Sequence, residues 1–215
     1  MTTPTPLHPE HPVKLYRYRL SGHSHRVELF LSLLGLPVEM IDIDLAAGAQ
    51  KAPAFLEINP FGPVPVIQDG EVTLADSNAI LVYLANKYAA EQWLPRDPLG
   101  AAAVQRWLTV AAGLVAFGPA AARLITIFKA PFNAEEVIAR ANGLFAVMEK
   151  TLQKSAFLAG EAPTLADIAN YTYIALAPEG NISLTPYPHL RSWLARIEAL
   201  PRFVPMTRSA VGLAA

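Results

Sequence analysis

The chain has 215 residues, of which 53% are apolar and 16% are charged, and its formal net charge is -1. This near-neutral balance does not indicate a nucleic-acid partner or an acidic surface as a partner. Because the chain contains no cysteine, disulfide bonds, catalysis by a cysteine thiolate of the protein and cysteine-based zinc sites are all excluded.

The first ninety residues show the pattern of a small α/β domain. The predicted elements are, in order, a flexible arm over residues 1–12 without a signal peptide, a strand over 14–19, a helix over 24–34, a strand over 38–45 and a short helix over 51–58. Gly35 and Pro37 end the first helix. A strand, a helix and a strand of these lengths predict a right-handed unit with parallel strands.

The most informative stretch is residues 59–84, NPFGPVPVIQDGEVTLADSNAILVYL. A strand is predicted over 64–67 although it carries Pro65, which has no donor for a central ladder and belongs at an edge, a bulge or a functional irregularity. A turn and a second strand over 71–74 complete a hairpin. Asp76-Ser77-Asn78 then opens a helix that runs to about Tyr88.

This interrupted strand ends close to the start of a helix. A peptide-like ligand could pair with free backbone there, while its carboxylate lies on the amides of the helix N-terminus. The alternative is a proline at a solvent-exposed edge and an ordinary helix cap.

The second half of the chain has a helical pattern only, after a predicted linker over residues 90–100. The predicted helices cover residues 99–129, with a bend at Pro119, and then 133–154, 168–176 and 186–200. The apolar stretch 110–128 approaches the length of a membrane span, but its glycines, Pro119 and Arg123 indicate a buried core helix. We therefore expect a soluble, cytoplasmic protein.

Ser21 and Ser24 lie where the first strand passes into the first helix. A hydroxyl at such a turn can donate to an anion that the helix N-terminus also favours. The alternative is a local turn with a plain N-cap, which we assign to Ser24. His23 and His25 have no carboxylate nearby in the sequence, so they are a weak metal signal, and we predict no metal. The chain also lacks the G-x-S-x-G elbow of a Ser-His-Asp hydrolase.

Taken together, these segments resemble the serine-type cytosolic glutathione transferases over residues 14–208. The motifs that carry the resemblance are Asn59-Pro60-Phe61-Gly62, Val64-Pro65, Asp76-Ser77-Asn78-Ala79-Ile80, Thr164-Leu165-Ala166-Asp167 and the pattern over 188–203. The resemblance implies a thioredoxin-like βαβαββα domain over 13–89 and an all-α domain over 101–215. It also implies a cis peptide bond between Val64 and Pro65.

The resemblance further implies which residues bind glutathione. They would be Lys51 (or Gln50 beside it), Val64, Pro65, Asp76 and Ser77. Val64 looks like the position whose backbone pairs with the cysteinyl part of the ligand. Asp76 and Ser77 are similar to the pair that holds the γ-glutamyl ammonium and carboxylate, and Lys51 or Gln50 is similar to the residue that meets the glycyl carboxylate.

Ser21 looks like the catalytic hydroxyl of the serine-type classes, which stabilises the glutathione thiolate. The tyrosine of the tyrosine-type classes falls on Arg17, and the cysteine-type classes place a cysteine near His23, where this chain has none. Tyr16 and Tyr18 flank the missing tyrosine on the opposite face of the strand, so we rank them below Ser21.

The resemblance also implies the partners, namely glutathione, a small hydrophobic electrophile and a second copy of the chain, with Phe61 inserted into that copy. The electrophile would lie between the domains against the long helix, near Trp107, Val110, Ala111, Leu114 and Phe117. The implied role is detoxification. A glutathione-dependent reductase, peroxidase or isomerase on the same fold, and a non-catalytic glutathione-binding protein, remain open.

Overall fold

The computed structural model describes residues 8–214, which divide into two units. The first unit comprises the residues up to Leu94 together with Pro201–Met206, and the second comprises Pro95–Leu200 and the residues from Thr207 onward. Of the arm expected over residues 1–12, residues 1–7 lie outside the described part. Residues 8–11 lie beside Asp69 and Tyr88.

A four-stranded sheet forms the centre of the first unit. Its strands are β1 (Val13–Arg17), β2 (Val38–Asp42), β3 (Val66–Asp69) and β4 (Val72–Ala75), in the spatial order β2-β1-β3-β4. β1 pairs in parallel with β2 and antiparallel with β3, and β3 and β4 form an antiparallel hairpin. The parallel pair confirms the predicted strand-helix-strand unit.

The predicted start of the proline-bearing strand is wrong by two residues. β3 begins at Val66, opposite Tyr16 of β1, so Val64 and Pro65 precede the strand. The physical reason is that β3 lies between β1 and β4, and a proline cannot donate to the ladder of a central strand.

Three helices complete this unit, α1 (Gly22–Leu34), α2 (Pro53–Ile58) and α3 (Ser77–Tyr88). The expectation that Ser24 caps α1 is wrong, because the N-cap is Ser21, whose Oγ accepts from the Ser24 amide at 3.2 Å. Ser24 is only 1% exposed, and its Oγ accepts from the Tyr18 amide instead. Gly35 ends the helix, as predicted, in the left-handed conformation with φ 68°.

The second unit is all helical. Its elements are α4 (Pro98–Val110), a π-helical segment (Ala111–Ala120), α5 (Ala121–Phe128), α6 (Ala134–Leu152), α7 (Leu165–Ala175) and α8 (Pro188–Glu198). α4 begins at Pro98 and is capped by Asp97, whose Oδ1 accepts from the Gly100 amide at 2.8 Å. The expected linker over 90–100 was therefore too long at its C-terminal end.

The continuous helix Pro98–Phe128 is long and apolar enough to span a membrane by length and composition alone. In the structure it packs against α6 and α7 as a core helix of the second unit. The irregularity expected at Pro119 is the π-helical segment that contains it. Widened turns of this kind accommodate a residue that cannot donate to the usual helical ladder.

The predicted capping motif of α7 is confirmed. The Thr164 side chain caps the helix, and Asp167 accepts in return from the Thr164 amide at 2.9 Å. The buried Asp167 carboxylate also accepts from Trp193 Nε1 of α8 at 2.8 Å. Burial raises the pKa of Asp167 against the effect of these donors, and the contact joins α7 to α8.

Candidate functional site

A cavity of about 390 Å³ opens in the first unit beside the β3–β4 hairpin. Its lining comes from the first turn of α1, the loop before β3 and the junction of β4 with α3. The lining residues are His23, Asn59, Phe61, Pro63, Val64, Pro65, Ala75, Asp76 and Ser77. The cavity thus brings together four of the residues expected to bind glutathione, which are Val64, Pro65, Asp76 and Ser77.

The loop before β3 forms one wall of the cavity and is held by Asn59. The Asn59 side chain is 2% exposed, donates from Nδ2 to the Pro63 carbonyl at 2.6 Å and accepts at Oδ1 from the Phe61 amide at 3.1 Å. The Val64-Pro65 peptide bond is cis, as predicted. Because pairing with β1 starts only at Val66, the Val64 backbone lies at the cavity outside the ladder.

The N-terminus of α3 forms the opposite wall. Asp76 is the N-cap, and its Oδ1 accepts from the Asn78 and Ala79 amides, both at 2.9 Å. Within residues 8–214 its Oδ2 accepts no hydrogen bond, so this oxygen remains available to a cation. Ser77 is the first residue of α3, and the partial positive charge at a helix N-terminus favours an anion there.

Ser77 is also in contact with two side chains of α1. Arg26 donates from Nη1 to Ser77 Oγ and to Asn78 Oδ1, both at 2.8 Å. His23 Nδ1 lies 3.5 Å from Ser77 Oγ. Burial, and then the charge of Arg26, lower the pKa of His23 to about 3, while Asp76 acts in the opposite direction. The imidazole at the cavity is therefore neutral at neutral pH.

Ser21 is placed at the N-terminus of α1 and is not among the residues that line the cavity. Its oxygen is fixed by the bond from the Ser24 amide. Its hydroxyl proton has no acceptor in the part of the chain that the structure describes. Ser21 is half-buried and lies two residues before the cavity-lining His23. It can therefore donate to a group bound near the start of α1.

The other candidates, which lie on β1 or directly after it, are engaged elsewhere. The Tyr16 hydroxyl donates to Gln68 Oε1 at 2.8 Å. Arg17, which stands where the tyrosine-type classes have tyrosine, forms ion pairs with Glu28 and Asp42. Tyr18 packs with the apolar cluster around Val64.

Lys51 and Gln50 were left as alternatives for the glycyl carboxylate, and the two residues lie in different environments. Lys51 is exposed at the end of a 3₁₀ turn and does not line the cavity. The Gln50 side-chain oxygen is buried and finds no hydrogen-bond partner within residues 8–214. A Cβ on Gly62 would lie 3.3 Å from the Gln50 carbonyl oxygen, so Gln50 packs against the loop that borders the cavity.

The residues expected to contact the electrophile lie in the second unit. Val110, Leu114 and Phe117 line a cavity of about 560 Å³. Trp107 lines a neighbouring cavity of about 400 Å³ together with Val110 and Leu114. Ala111 is fully buried and lines neither cavity.

Arg26 was missed by the sequence analysis, and His23 was considered only as a weak metal signal. Arg26 directly precedes the buried residues Val27, Leu29 and Phe30. A cation next to such an apolar run is unusual, because a buried charge requires partners. The position of Arg26 beside this apolar run was therefore the sequence feature that could have indicated a buried arginine. Within residues 8–214 no group of three or more potential metal ligands is found.

Comparisons with known proteins give a consistent result. A family model described as the glutathione S-transferase N-terminal domain matches residues 11–86, and the model of the C-terminal domain matches residues 107–201. The chain is 36% identical to glutathione S-transferase 3 of Zea mays over 207 residues, which cover 89% of this chain and 91% of the relative. It is 31% identical to the disulfide-bond oxidoreductase YfcG of Escherichia coli over 194 residues, covering 83% and 87%.

Solved structures agree with these matches. A glutathione S-transferase from Pseudomonas fluorescens Pf-5 superposes with a TM-score of 0.86 at 34% identity, covering 91% of this chain and 99% of that chain. A glutathione transferase homolog from Drosophila mojavensis with bound glutathione gives a TM-score of 0.81 at 27% identity, covering 88% and 89%.

Proposed function

Because the chain belongs to the glutathione S-transferase family, we propose that it binds glutathione in the cavity beside Val64 and Ser77 and activates the thiol for attack on a small hydrophobic electrophile. The observation that carries this proposal is the cavity itself. It combines a backbone segment outside the sheet at Val64, a carboxylate at Asp76 and the N-terminus of α3. The backbone at Val64 can pair with a peptide, the Asp76 carboxylate can bind an ammonium group, and the helix N-terminus can bind a carboxylate.

Each part of glutathione then has a partner. The cysteinyl peptide pairs with the Val64 backbone. The γ-glutamyl ammonium group lies at Asp76 Oδ2, and the γ-glutamyl carboxylate lies at the Ser77 amide. For the glycyl end we favour Gln50 over Lys51, because Gln50 packs against the loop that borders the cavity and its side-chain NH2 group can donate to a carboxylate.

Ser21 activates the thiol without becoming covalent. A free thiol has a pKa of about 8.5, so only a few per cent is ionised at neutral pH. A hydroxyl donor and the N-terminus of α1 together lower this pKa by roughly two, or about 2.7 kcal/mol of preferential thiolate stabilisation. The thiol proton passes to solvent, and the thiolate sulfur forms a bond to carbon. With an aryl halide the halide departs with the bonding electrons, and with an activated alkene the π electrons move to the neighbouring carbon, which takes a proton from solvent. Nucleophilicity falls more slowly than acidity rises, so the rate increases.

A calorimetric titration with glutathione, followed by turnover assays, tests the proposal. We expect saturable binding and conjugation of at least one aryl halide or activated alkene in a broad panel. Absence of glutathione binding would overturn the proposal. Binding without any turnover would favour a non-catalytic glutathione-binding protein.

A second candidate is glutathione-dependent disulfide reduction, and the similarity to the Escherichia coli disulfide-bond oxidoreductase favours it. Because the chain has no cysteine, glutathione must supply both thiols. The first glutathione thiolate attacks the disulfide and releases one substrate thiol. A second glutathione thiolate then attacks the mixed disulfide, which releases the other substrate thiol and gives oxidised glutathione. Turnover of a disulfide with little conjugation across the same panel would select this candidate.

We also propose a cytoplasmic homodimer acting in detoxification. The feature that supports a second copy is Phe61, which is 90% exposed although it is a large apolar side chain. It lies on the loop that lines the glutathione cavity. Contact of Phe61 with a second copy would therefore join assembly to the binding site.

A further inference from the structure

Arg26 is a buried cation that the proposed chemistry does not yet use. The residue lies on α1, is 1% exposed and reaches across to the first turn of α3. There its Nη1 donates to Ser77 Oγ and Asn78 Oδ1, both at 2.8 Å. One guanidinium thus holds the side chains of the first two residues of the helix whose N-terminus borders the cavity.

These two acceptors are neutral side chains, and they orient the guanidinium towards the first turn of α3. Electrostatic effects of a buried charge are screened less than those of an exposed one. The effect of Arg26 reaches the cavity wall, where its charge helps to lower the pKa of His23. An anionic group at the same wall is affected with the opposite sign and is stabilised.

The contact with Ser77 also prepares that hydroxyl as a donor. A serine hydroxyl has one proton and two acceptor lone pairs. The bond from Arg26 occupies one lone pair and polarises the hydroxyl, which strengthens its donation to an anion. The Ser77 side chain is 5% exposed overall and lines the cavity, so the donated hydrogen bond is made in a partly desolvated place.

We propose that Arg26 is a positioning residue for the γ-glutamyl carboxylate of glutathione, which holds Ser77 in place and makes this end of the cavity selective for an anionic group. The inference rests on the proposed function, because the carboxylate is that of glutathione. It goes further in assigning the selectivity of the site to a side chain on α1 that does not line the cavity.

The test compares glutathione with an analogue in which hydrogen replaces the γ-glutamyl α-carboxylate, using calorimetry on the full-length chain. Wild-type protein is expected to prefer glutathione. Arg26→Gln should weaken glutathione binding by roughly tenfold to a hundredfold, and the analogue should lose less than about threefold. Equal losses for the two ligands would overturn the proposal, since a merely structural role does not distinguish them.

Two further variants keep the test decisive. Arg26→Lys retains the charge with a single point of contact, so its loss of affinity should be smaller than that of Arg26→Gln and again confined to glutathione. Arg26→Lys replaces Arg26→Gln in the test if Arg26→Gln does not fold. Arg123→Gln removes a buried arginine of the second unit and should leave the ratio of the two affinities unchanged. Failure of wild-type protein to bind glutathione would refute the proposed function itself, whereas wild-type binding without preference would refute only the role of Arg26.

An NMR titration of His23 adds a readout that does not depend on the ligand. Removal of the Arg26 charge should raise the pKa of His23 from about 3 towards its ordinary value, in Arg26→Gln but not in Arg26→Lys. An unchanged His23 pKa in Arg26→Gln would contradict a field of Arg26 at the cavity.

Discussion

Within residues 8–214, two arginines are buried, one in each unit, and their partners differ in charge. Arg123 of the second unit is 1% exposed and donates from Nε to Glu179 Oε2 at 2.6 Å. The other carboxylate oxygen of Glu179 accepts from the Ser209 amide at 2.8 Å. Arg26 of the first unit is equally buried but donates to the neutral side chains of Ser77 and Asn78.

This difference separates a structural charge from a functional one. The carboxylate of Glu179 neutralises Arg123, and the pair ties α5 to the turn Ala177–Gly180 and to the C-terminal segment. Arg26 instead contacts two neutral side chains at the start of α3, and burial and then the charge of Arg26 lower the pKa of His23 at the cavity wall. Burial of an arginine therefore does not by itself indicate a binding site. The charge of the arginine's partners and its distance from a cavity indicate whether it belongs to a binding site.

The largest expected effect comes from breaking the structural pair. Arg123→Met leaves the Glu179 carboxylate buried without its partner, which typically costs about 3–5 kcal/mol of unfolding free energy. Urea denaturation measures this loss, and the double variant Arg123→Met/Glu179→Gln should recover part of it. The glutathione affinity of the folded variant should equal that of wild type. A loss below about 1 kcal/mol would contradict a structural role.

Ser21→Ala tests whether the start of α1 has a chemical function as well as a structural one. It should move the pH profile of turnover upward by one to two pH units, or roughly 1.4–2.7 kcal/mol of lost thiolate stabilisation. Glutathione affinity should change little. Because Ser21 is also the N-cap, stability should fall by about 1 kcal/mol.

The matched control for Ser21→Ala is Asn133→Ala, which removes the N-cap of α6 in the other unit. It should cost a similar stability without moving the pH profile. If both variants leave the profile unchanged, the thiolate is stabilised elsewhere, and His23, Tyr16 or Tyr18 becomes the next candidate.

The sequence predicted the architecture well, because apolar periodicity and caps are local signals. The paired strands β1 and β2 and the capping motif of Thr164 and Asp167 are confirmed. The starts of α1 and β3 were misplaced by two residues each. In both cases several neighbouring residues were compatible with the local pattern, and tertiary contacts selected one.

The candidate site was predictable only where a motif marks it. The segment from Val64 to Ser77 carried its own signals, and the structure joins these residues in one cavity. Arg26 belongs to no motif, and its position beside an apolar run does not reveal its partner, since Ser77 is 51 residues away and the contact exists only after α1 and α3 have packed. The apolar residues Val110 and Leu114 were equally compatible with a core position.

Asp76 provides a smaller, more selective change at the same helix as Ser77. Asp76→Asn keeps an oxygen that can cap α3, and asparagine tolerates the positive φ of 71° found at this position. Only the charge opposite the γ-glutamyl ammonium is lost. We expect the dissociation constant of glutathione to rise about fivefold, roughly 1 kcal/mol.

Asp76→Ala is the harsher companion variant, because it removes the cap and places a non-glycine residue without a polar side chain at positive φ. It should lose stability as well as affinity. Calorimetric affinities for Asp76→Asn equal to those of wild type would refute the ammonium site and leave the role of Arg26 at the carboxylate intact.

Phe61 tests whether the cavity also depends on a second copy of the chain. Its side chain is 90% exposed, so Phe61→Ser should change the stability of the single chain by no more than about 0.5 kcal/mol. If Phe61 inserts into a partner, the variant should dissociate at concentrations where wild type is dimeric, as measured by light scattering over a dilution series.

Leu99→Ser is the control. Leu99 is 84% exposed on α4, and its substitution should leave the dimer intact. Wild-type protein that is monomeric at micromolar concentration would refute the dimer, but Arg26, Ser77 and Asp76 would keep their roles, because all three lie within one unit of one chain.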